Sequence, residues 1–287
     1  MKRKLFYQFS APSNIIMLAL MVFPLMMAIW LGLNFLTFRN INAPEFIGLR
    51  NYQEVLTDPR FWQSFRFTML FIVITVPAQI FIGFVMALLL DQAAKWVRGI
   101  YLSAFLLPFI VVPVVGTLMF KQLFEPSGLV SWFFRSVIGQ RFIFTEFSVK
   151  ALIILHAIWY VTPFALIVLF AGLQTLPKEV IEAASMDGAT RLQQIRHVVI
   201  PHLSSLFVLI ALISIMDAYR VFDSVFVLTE QNPIFKADTI MVYNFEVALT
   251  VQRLGKANAM AVLTVIGILI VLIPFLYRTY HEQLEER

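Results

Sequence analysis

Apolar positions in this chain gather into long uncharged runs instead of short amphipathic stripes. Six runs have about the 20-residue length that carries a helix across some 30 Å of hydrocarbon. They cover residues 15–36, 67–90, 100–120, 151–173, 203–228 and 257–277. No charged residue lies between Leu5 and Phe38, Asp91 closes the second run, and Asp217, Arg220 and Asp223 interrupt the fifth. The pattern predicts an all-α membrane protein of six transmembrane helices. The basic start, Lys2, Arg3 and Lys4, precedes an apolar run too long for a signal peptide, with no small-residue cleavage site behind it, so an uncleaved first span is expected. An even number of spans puts both termini on one side.

Every run but the fifth contains proline: Pro24, Pro77, Pro108, Pro113, Pro163 and Pro274. Proline removes a helix hydrogen bond and kinks the axis, and bundles of membrane helices tolerate it. Irregular packing and kinked spans lining a cavity both fit. Segments 37–66, 121–150 and 229–256 share one side of the membrane, and 174–202 is the long segment on the other. The chain divides at residue 66 into an N-terminal tail, first span and external loop (1–66) and a core of five spans (67–287) containing the loop 177–201. No internal repeat is evident, which argues against a single-chain secondary transporter built from two related halves.

Composition sharpens this reading. The 287 residues are 60% hydrophobic and 14% charged, with mean hydropathy +0.83, against about 45–50% and 25% for soluble domains. An ordinary soluble enzyme and a disordered chain are excluded. There is no cysteine, hence no disulfide, thiol nucleophile or thiolate metal site. The net charge of +5 comes from singly scattered residues, without the basic patch nucleic acid requires. Lysines and arginines divide almost evenly between the two sides, with Arg141 on the outer and Arg287 on the inner side. The shorter inner segments and the N-terminal cluster favour cytoplasmic termini.

Segment 177–201 carries the clearest motif. Pro177 suits a first helical turn, Glu179 and Glu182 sit near a helix start that favours anions, and Gly188 suits a helix stop. A second short helix is expected from Thr190 to Val199, ending before Pro201. Ala183, Ala184 and Gly188 leave room for another protein to approach closely. A plain surface hairpin accounts for the same residues.

Glu182-Ala183-Ala184, three residues, Gly188, nine residues, then Val198-x-Ile200-Pro201 resembles the EAA loop of ABC-importer permeases. Asp187-Gly188-Ala189 resembles its carbohydrate-importer branch. Phe46 to Tyr52 with Asp58 to Trp62, Phe222-Asp223-x-Val225-Phe226-x-Leu228-Thr229, Tyr243 to Phe245 and Gly255-x-Ala257-x-Ala259 extend the likeness over most of the chain, toward the maltose-type first permease subunit. The glycine run that often follows the F-D stretch is replaced by Glu230-Gln231-Asn232-Pro233. The resemblance implies a type I ABC importer permease fold in the bacterial inner membrane, without enzymatic activity of its own. Its implied partners are an ABC ATPase dimer carrying ATP and magnesium, a second related permease and an extracytoplasmic substrate-binding protein. It further implies that Glu182, Ala183, Ala184, Asp187, Gly188 and Pro201 belong to a coupling loop docked on the ATPase. No phosphate-binding G-x-x-x-x-G-K-[ST] is present, since Gly255-Lys256 lacks the upstream glycine.

Asp217, Arg220 and Asp223 are three apart and are expected on one helix face. Ionisable residues in a span face the bundle interior. A self-neutralised pair and a polar wall of a sugar path both fit, with Phe222 in the same stretch and Trp159 and Tyr160 as aromatic platforms. His156, His197, His202 and His281 have no metal-ligand spacing. Two other readings stay open: a membrane enzyme acting on a lipid-linked substrate, and a self-contained channel or carrier.

Overall fold

A computed structural model describes residues 2–139 and 142–285; Arg141 and Arg287 lie outside them. The described chain is helical almost throughout. In order it forms α1 (Lys2–Gly32), a two-residue hairpin of β1 (Asn34–Phe35) and β2 (Glu45–Phe46), α2 (Arg50–Leu56), α3 (Pro59–Gln92), α4 (Lys95–Ile110), α5 (Pro113–Phe124) and α6 (Leu129–Phe133). Then come α7 (Glu146–Gln174), α8 (Lys178–Met186), α9 (Arg191–Gln194), α10 (Ile200–His202), α11 (Ser204–Tyr219), α12 (Asp223–Thr229), α13 (Ile240–Phe245) and α14 (Leu254–Glu285).

Four helical stretches are long and apolar enough to span: Ala11–Gly32, Pro59–Gln92, Glu146–Gln174 and Leu254–Pro274. Two further spans are bent pairs, so the total reaches six only when each pair counts once. The third run is not one straight helix across 100–120. It breaks at Val111 and Val112, with a 95° bend between Lys95–Ile110 and Pro113–Val137. The cause is local, because Pro113 excludes helical backbone at Val112 and becomes the first residue of α5. The fifth run is also interrupted. The stretch Arg191–His202 turns by 65° into α11, and α11 ends at Tyr219 instead of continuing to residue 228.

Two compact units emerge. The first comprises residues 1–62 and 242–270, and the second residues 63–241 and 271–287. One continuous helix, α3, carries the chain through residue 66. In the first unit, Val55, Phe61, Tyr243, Val247, Ala257 and Met260 form the core. Small residues permit close backbone contact there. A Cβ on Gly255 would lie 2.1 Å from the Asn34 carbonyl oxygen, and one on Gly32 would lie 3.2 Å from the Ala259 backbone. Asn51 closes the joint by donating from Nδ2 to the carbonyls of Gly32 and Asn34, both at 2.9 Å. The second unit is built around α7, with Leu166, Leu169 and Leu173 packed against Ala87, Leu203 and Ile210.

Candidate functional site

The segment after α7 folds as two short helices joined by a tight turn. Gly188 has φ of 79°, a left-handed conformation that glycine adopts without steric cost. Its N–H donates to Ser185 O at 3.0 Å, and that of Ala189 donates to Ala184 O at 3.0 Å. This pair of bonds satisfies the last carbonyls of α8 in a Schellman turn. Thr190 then starts α9 with a capping box: its N–H donates to Gln193 Oε1 at 2.7 Å, and the Gln193 N–H returns to Thr190 Oγ1. The helix does not stop before Pro201. A π-turn over Ile195–Val199 shifts the hydrogen-bond register ahead of the proline, and the helical path continues through α10.

Gln194, which the motif did not single out, ties the two helices together. Its Nε2 donates to Ser185 Oγ at 2.9 Å and to Ala189 O at 3.2 Å. Ile181 and Leu176 pack on the α7 core from below this turn. The opposite surface stays open. Glu182, Ala183, Asp187, Gly188 and Pro201 are exposed, Ala184 is half-buried, and Met186 and Leu192 are 88% and 75% exposed. A charged and apolar surface on a rigid paired-helix tip is thus presented outward.

The polar residues of the fifth run meet at a cavity of about 350 Å³, within the range of about 300–1,000 Å³ for small-molecule sites. It is lined from α3, α7, α11 and α12, and by the break between α4 and α5. Asp217, Arg220 and Asp223 all line it, but not from one helix face. Arg220 to Phe222 form a non-helical break, and Asp223 begins α12. Thr239 Oγ1 donates to Val221 O at 2.9 Å and so holds that break. Arg220 pairs with Asp217, Nη2 to Oδ1 at 2.6 Å, with both side chains more than half exposed. Phe222 lines the cavity and stacks on Phe226 at 5.1 Å.

Tyr160 lines it too, donating from Oη to Val111 O at 3.2 Å. Trp159 does not: it stacks on Phe120 and is 42% exposed. Sequence reasoning weighed His156 only as a metal ligand and passed over Gln79 and Ser214; all three are buried and line the cavity. Single polar residues inside long apolar runs were the available signal. Downstream, Glu230 and Gln231 hold positive φ of 50° and 57°, conformations that glycine accepts more readily. An ion pair to Lys121 fastens Glu230 there.

Comparison with known proteins agrees with this architecture. The family described as "Binding-protein-dependent transport system inner membrane component" matches residues 79–286. The chain is 30% identical over 280 residues to the trehalose/maltose transport system permease protein MalF of Thermococcus litoralis, covering 95% of this chain and 92% of that one. It is 30% identical over 289 residues to the probable ABC transporter permease protein YesP of Bacillus subtilis, covering 98% and 92%. Among solved structures, it resembles a chain from a bacterial ABC transporter involved in import of the acidic polysaccharide alginate. That likeness has a TM-score of 0.81 and 20% identity, over 98% of this chain and 96% of that one.

Proposed function

The chain belongs to the family of binding-protein-dependent transport system inner membrane components, and from that membership we propose that it forms half of the translocation path of an ATP-driven importer for a sugar, sugar alcohol or small glycoside. The carbohydrate class is supported by relatives named for trehalose and maltose and by a structural neighbour named for alginate import. The observation that carries the coupling role is the exposed tip of α8 and α9, where Glu182 and Met186 stand on a turn fixed by Gly188.

In this reading an ABC ATPase dimer, with ATP and magnesium, docks on that tip. Glu182 contacts the ATPase, Ala183 and Ala184 allow the close approach, and Gly188 sets the angle between the helices. Asp187 and Pro201 belong to the same docked loop. Closure of the ATPase moves the paired helices as a body, because Gln194 and the Schellman turn lock them together. The cavity lined by Tyr160, Asp217, Arg220, Phe222 and Asp223 is this chain's share of the sugar path, and Trp159 acts from outside that lining. A second related permease supplies the other half, and an extracytoplasmic binding protein delivers the substrate. The termini are cytoplasmic in the bacterial inner membrane, and the nucleotide chemistry belongs wholly to the partner.

The test is purification of the tagged chain from its native host in mild detergent, with mass spectrometry and an ATPase assay. Co-purification of a P-loop ATPase and a second six-span chain is expected. A chain that purifies alone, and that forms no crosslink from position 182 to an ATPase in intact membranes, would count against the proposal.

A further inference from the structure

Resting on the reading of this chain as half of a transport path, we infer that Tyr160 and Thr239 are positioning residues of the transport cycle. Each pins the freed carbonyl of a helix break at the edge of the cavity, and the half-helices on either side change angle about these two pins. Neither side chain has to touch the cargo to do this. Phe109 and Pro113 line the cavity from the two sides of the break between α4 and α5. Arg220, Val221 and Phe222 line it from the break between α11 and α12. Val111 is extended, with ψ of 138°, and Val221 belongs to neither helix, so their carbonyls lie outside the helical ladders.

Each of these carbonyls accepts from one side-chain hydroxyl instead. Tyr160 Oη donates to Val111 O at 3.2 Å, and the buried Thr239 Oγ1 donates to Val221 O at 2.9 Å. Tyr160 is the midpoint of α7, about 21 Å of helix from either end. A carbonyl at that depth pays its full desolvation when it lacks a donor. An α-helical ladder fixes its own angle, because every N–H is committed four residues back. A single hydroxyl on a carbonyl tolerates a broad range of directions. The pin therefore keeps the carbonyl satisfied while the backbone on either side turns, as a hinge inside a bilayer requires.

The connections around the pins suit such a motion. Beyond the breaks, Lys121 in the last turn of α5 is ion-paired with Glu230 at the end of α12, which joins the two far half-helices into one piece. On the near side, α11 follows from the stretch Arg191–His202, whose start is the exposed tip of α9. A displacement of that tip thus reaches the Val221 break along one continuous path. The Tyr160 ring stacks on His156 at 5.8 Å and meets Phe109, in the last turn of α4, at 6.1 Å. The ring is therefore oriented by the half-helix whose end it pins.

The test is hydrogen–deuterium exchange on the complete transporter, both permeases and the ATPase, in lipid nanodiscs. It is measured without nucleotide and after trapping with ATP, magnesium and vanadate. Exchange over 105–116 and 217–224 is expected to differ about threefold or more between the two states, while α2 stays unchanged. Without nucleotide, Tyr160→Phe, which removes only the hydroxyl, should speed exchange over 105–116 about threefold and spare 217–224. Thr239→Val should do the reverse, and Thr239→Ser, which keeps a hydroxyl, should match the parent. Maximal ATP hydrolysis under titration with the cognate binding protein should fall about fivefold in Tyr160→Phe and Thr239→Val, with the half-saturating concentration unchanged. A hydrolysing complex with no nucleotide-dependent exchange at either break would overturn the inference, and that result needs no variant. Unaltered exchange in both hydroxyl-less variants, a Thr239→Ser defect as large as that of Thr239→Val, or a shift in half-saturation in place of the maximum would overturn it too. These outcomes leave the importer reading standing. A complex whose ATP hydrolysis ignores the binding protein removes that reading, and the inference with it.

Discussion

Arg60 and Glu246 are 186 residues apart and meet fork to fork, Nη1 to Oε1 at 2.7 Å and Nη2 to Oε2 at 2.5 Å. The guanidinium also lies over the Tyr243 ring, 4.9 Å from its centroid. Two planar groups bound through two parallel hydrogen bonds hold a fixed angle, which a lysine's single ammonium cannot reproduce. The pair fastens the start of α3 to the stretch after α13 within the first unit. Arg60→Lys should cost about 1–2 kcal/mol on that basis. A double-mutant cycle with Glu246→Gln, read from thermal unfolding in detergent, should show coupling of similar size; additive effects would contradict it.

Asp58 gives the same unit a pH dependence. Burial alone would raise its carboxyl, but hydrogen bonds from Lys256 Nζ at 2.7 Å, Tyr243 Oη at 2.6 Å and the Arg60 N–H outweigh it, and the group is held below its ordinary value of 3.8. The folded state therefore binds its proton less readily than the unfolded state. The stabilisation is complete above the unfolded pKa and is lost as pH falls through the lowered folded value. Melting temperature measured from pH 6 down to pH 3 should drop less steeply in Asp58→Asn, which starts lower at pH 6. Parallel curves for the two proteins would show that Asp58 contributes nothing to the acid limb.

Two glycines in the second unit separate rigid from yielding contacts. A Cβ on Gly83 would stand 2.7 Å from Ala165 Cβ and 2.9 Å from Leu166 N, so α3 and α7 would have to part. A Cβ on Gly172 would meet only the ends of Leu206 and Leu203 side chains, at 2.3 and 2.7 Å. Small residues let membrane helices pack closely, and overpacking costs about 1–3 kcal/mol. Gly83→Ala should fall at the upper end and Gly172→Ala at the lower. The check is the yield of folded protein on size-exclusion chromatography after graded heating.

These contrasts also mark what could be read before the structure. Four spans were legible because run length alone decides whether a helix crosses the hydrocarbon. The break at Val111 had a local sign in Pro113, yet the apolar run passed through it without a polar residue. The break at Val221 falls among the charges that interrupt the fifth run, but the contact that holds it comes from Thr239, 18 residues away. The turn at Gly188 was legible because a helix stop is a local event. The burial of His156 at the cavity was not, because it depends on a tertiary contact with Thr117, 39 residues distant. The missing glycines near residue 230 proved compatible with the fold, since Glu230 and Gln231 adopt the left-handed backbone themselves.

The Gly188 turn allows backbone geometry and surface chemistry to be tested apart. Nothing lies within 4 Å of a Cβ built there, so a side chain meets no steric obstacle, and only the φ of 79° limits substitution. Asparagine tolerates that region, alanine is disfavoured by roughly 1–2 kcal/mol, and proline cannot enter it. In the assembled transporter Gly188→Asn should keep most uptake, Gly188→Ala should lower it, and Gly188→Pro should abolish it while the protein still inserts. Glu182→Lys changes charge on the exposed face without touching the turn. It should release the ATPase on purification, or leave hydrolysis running without uptake. Paired measurements of uptake and ATP hydrolysis in proteoliposomes distinguish these cases. Full uptake by both Gly188→Pro and Glu182→Lys would mean that this tip is a surface hairpin with no part in coupling.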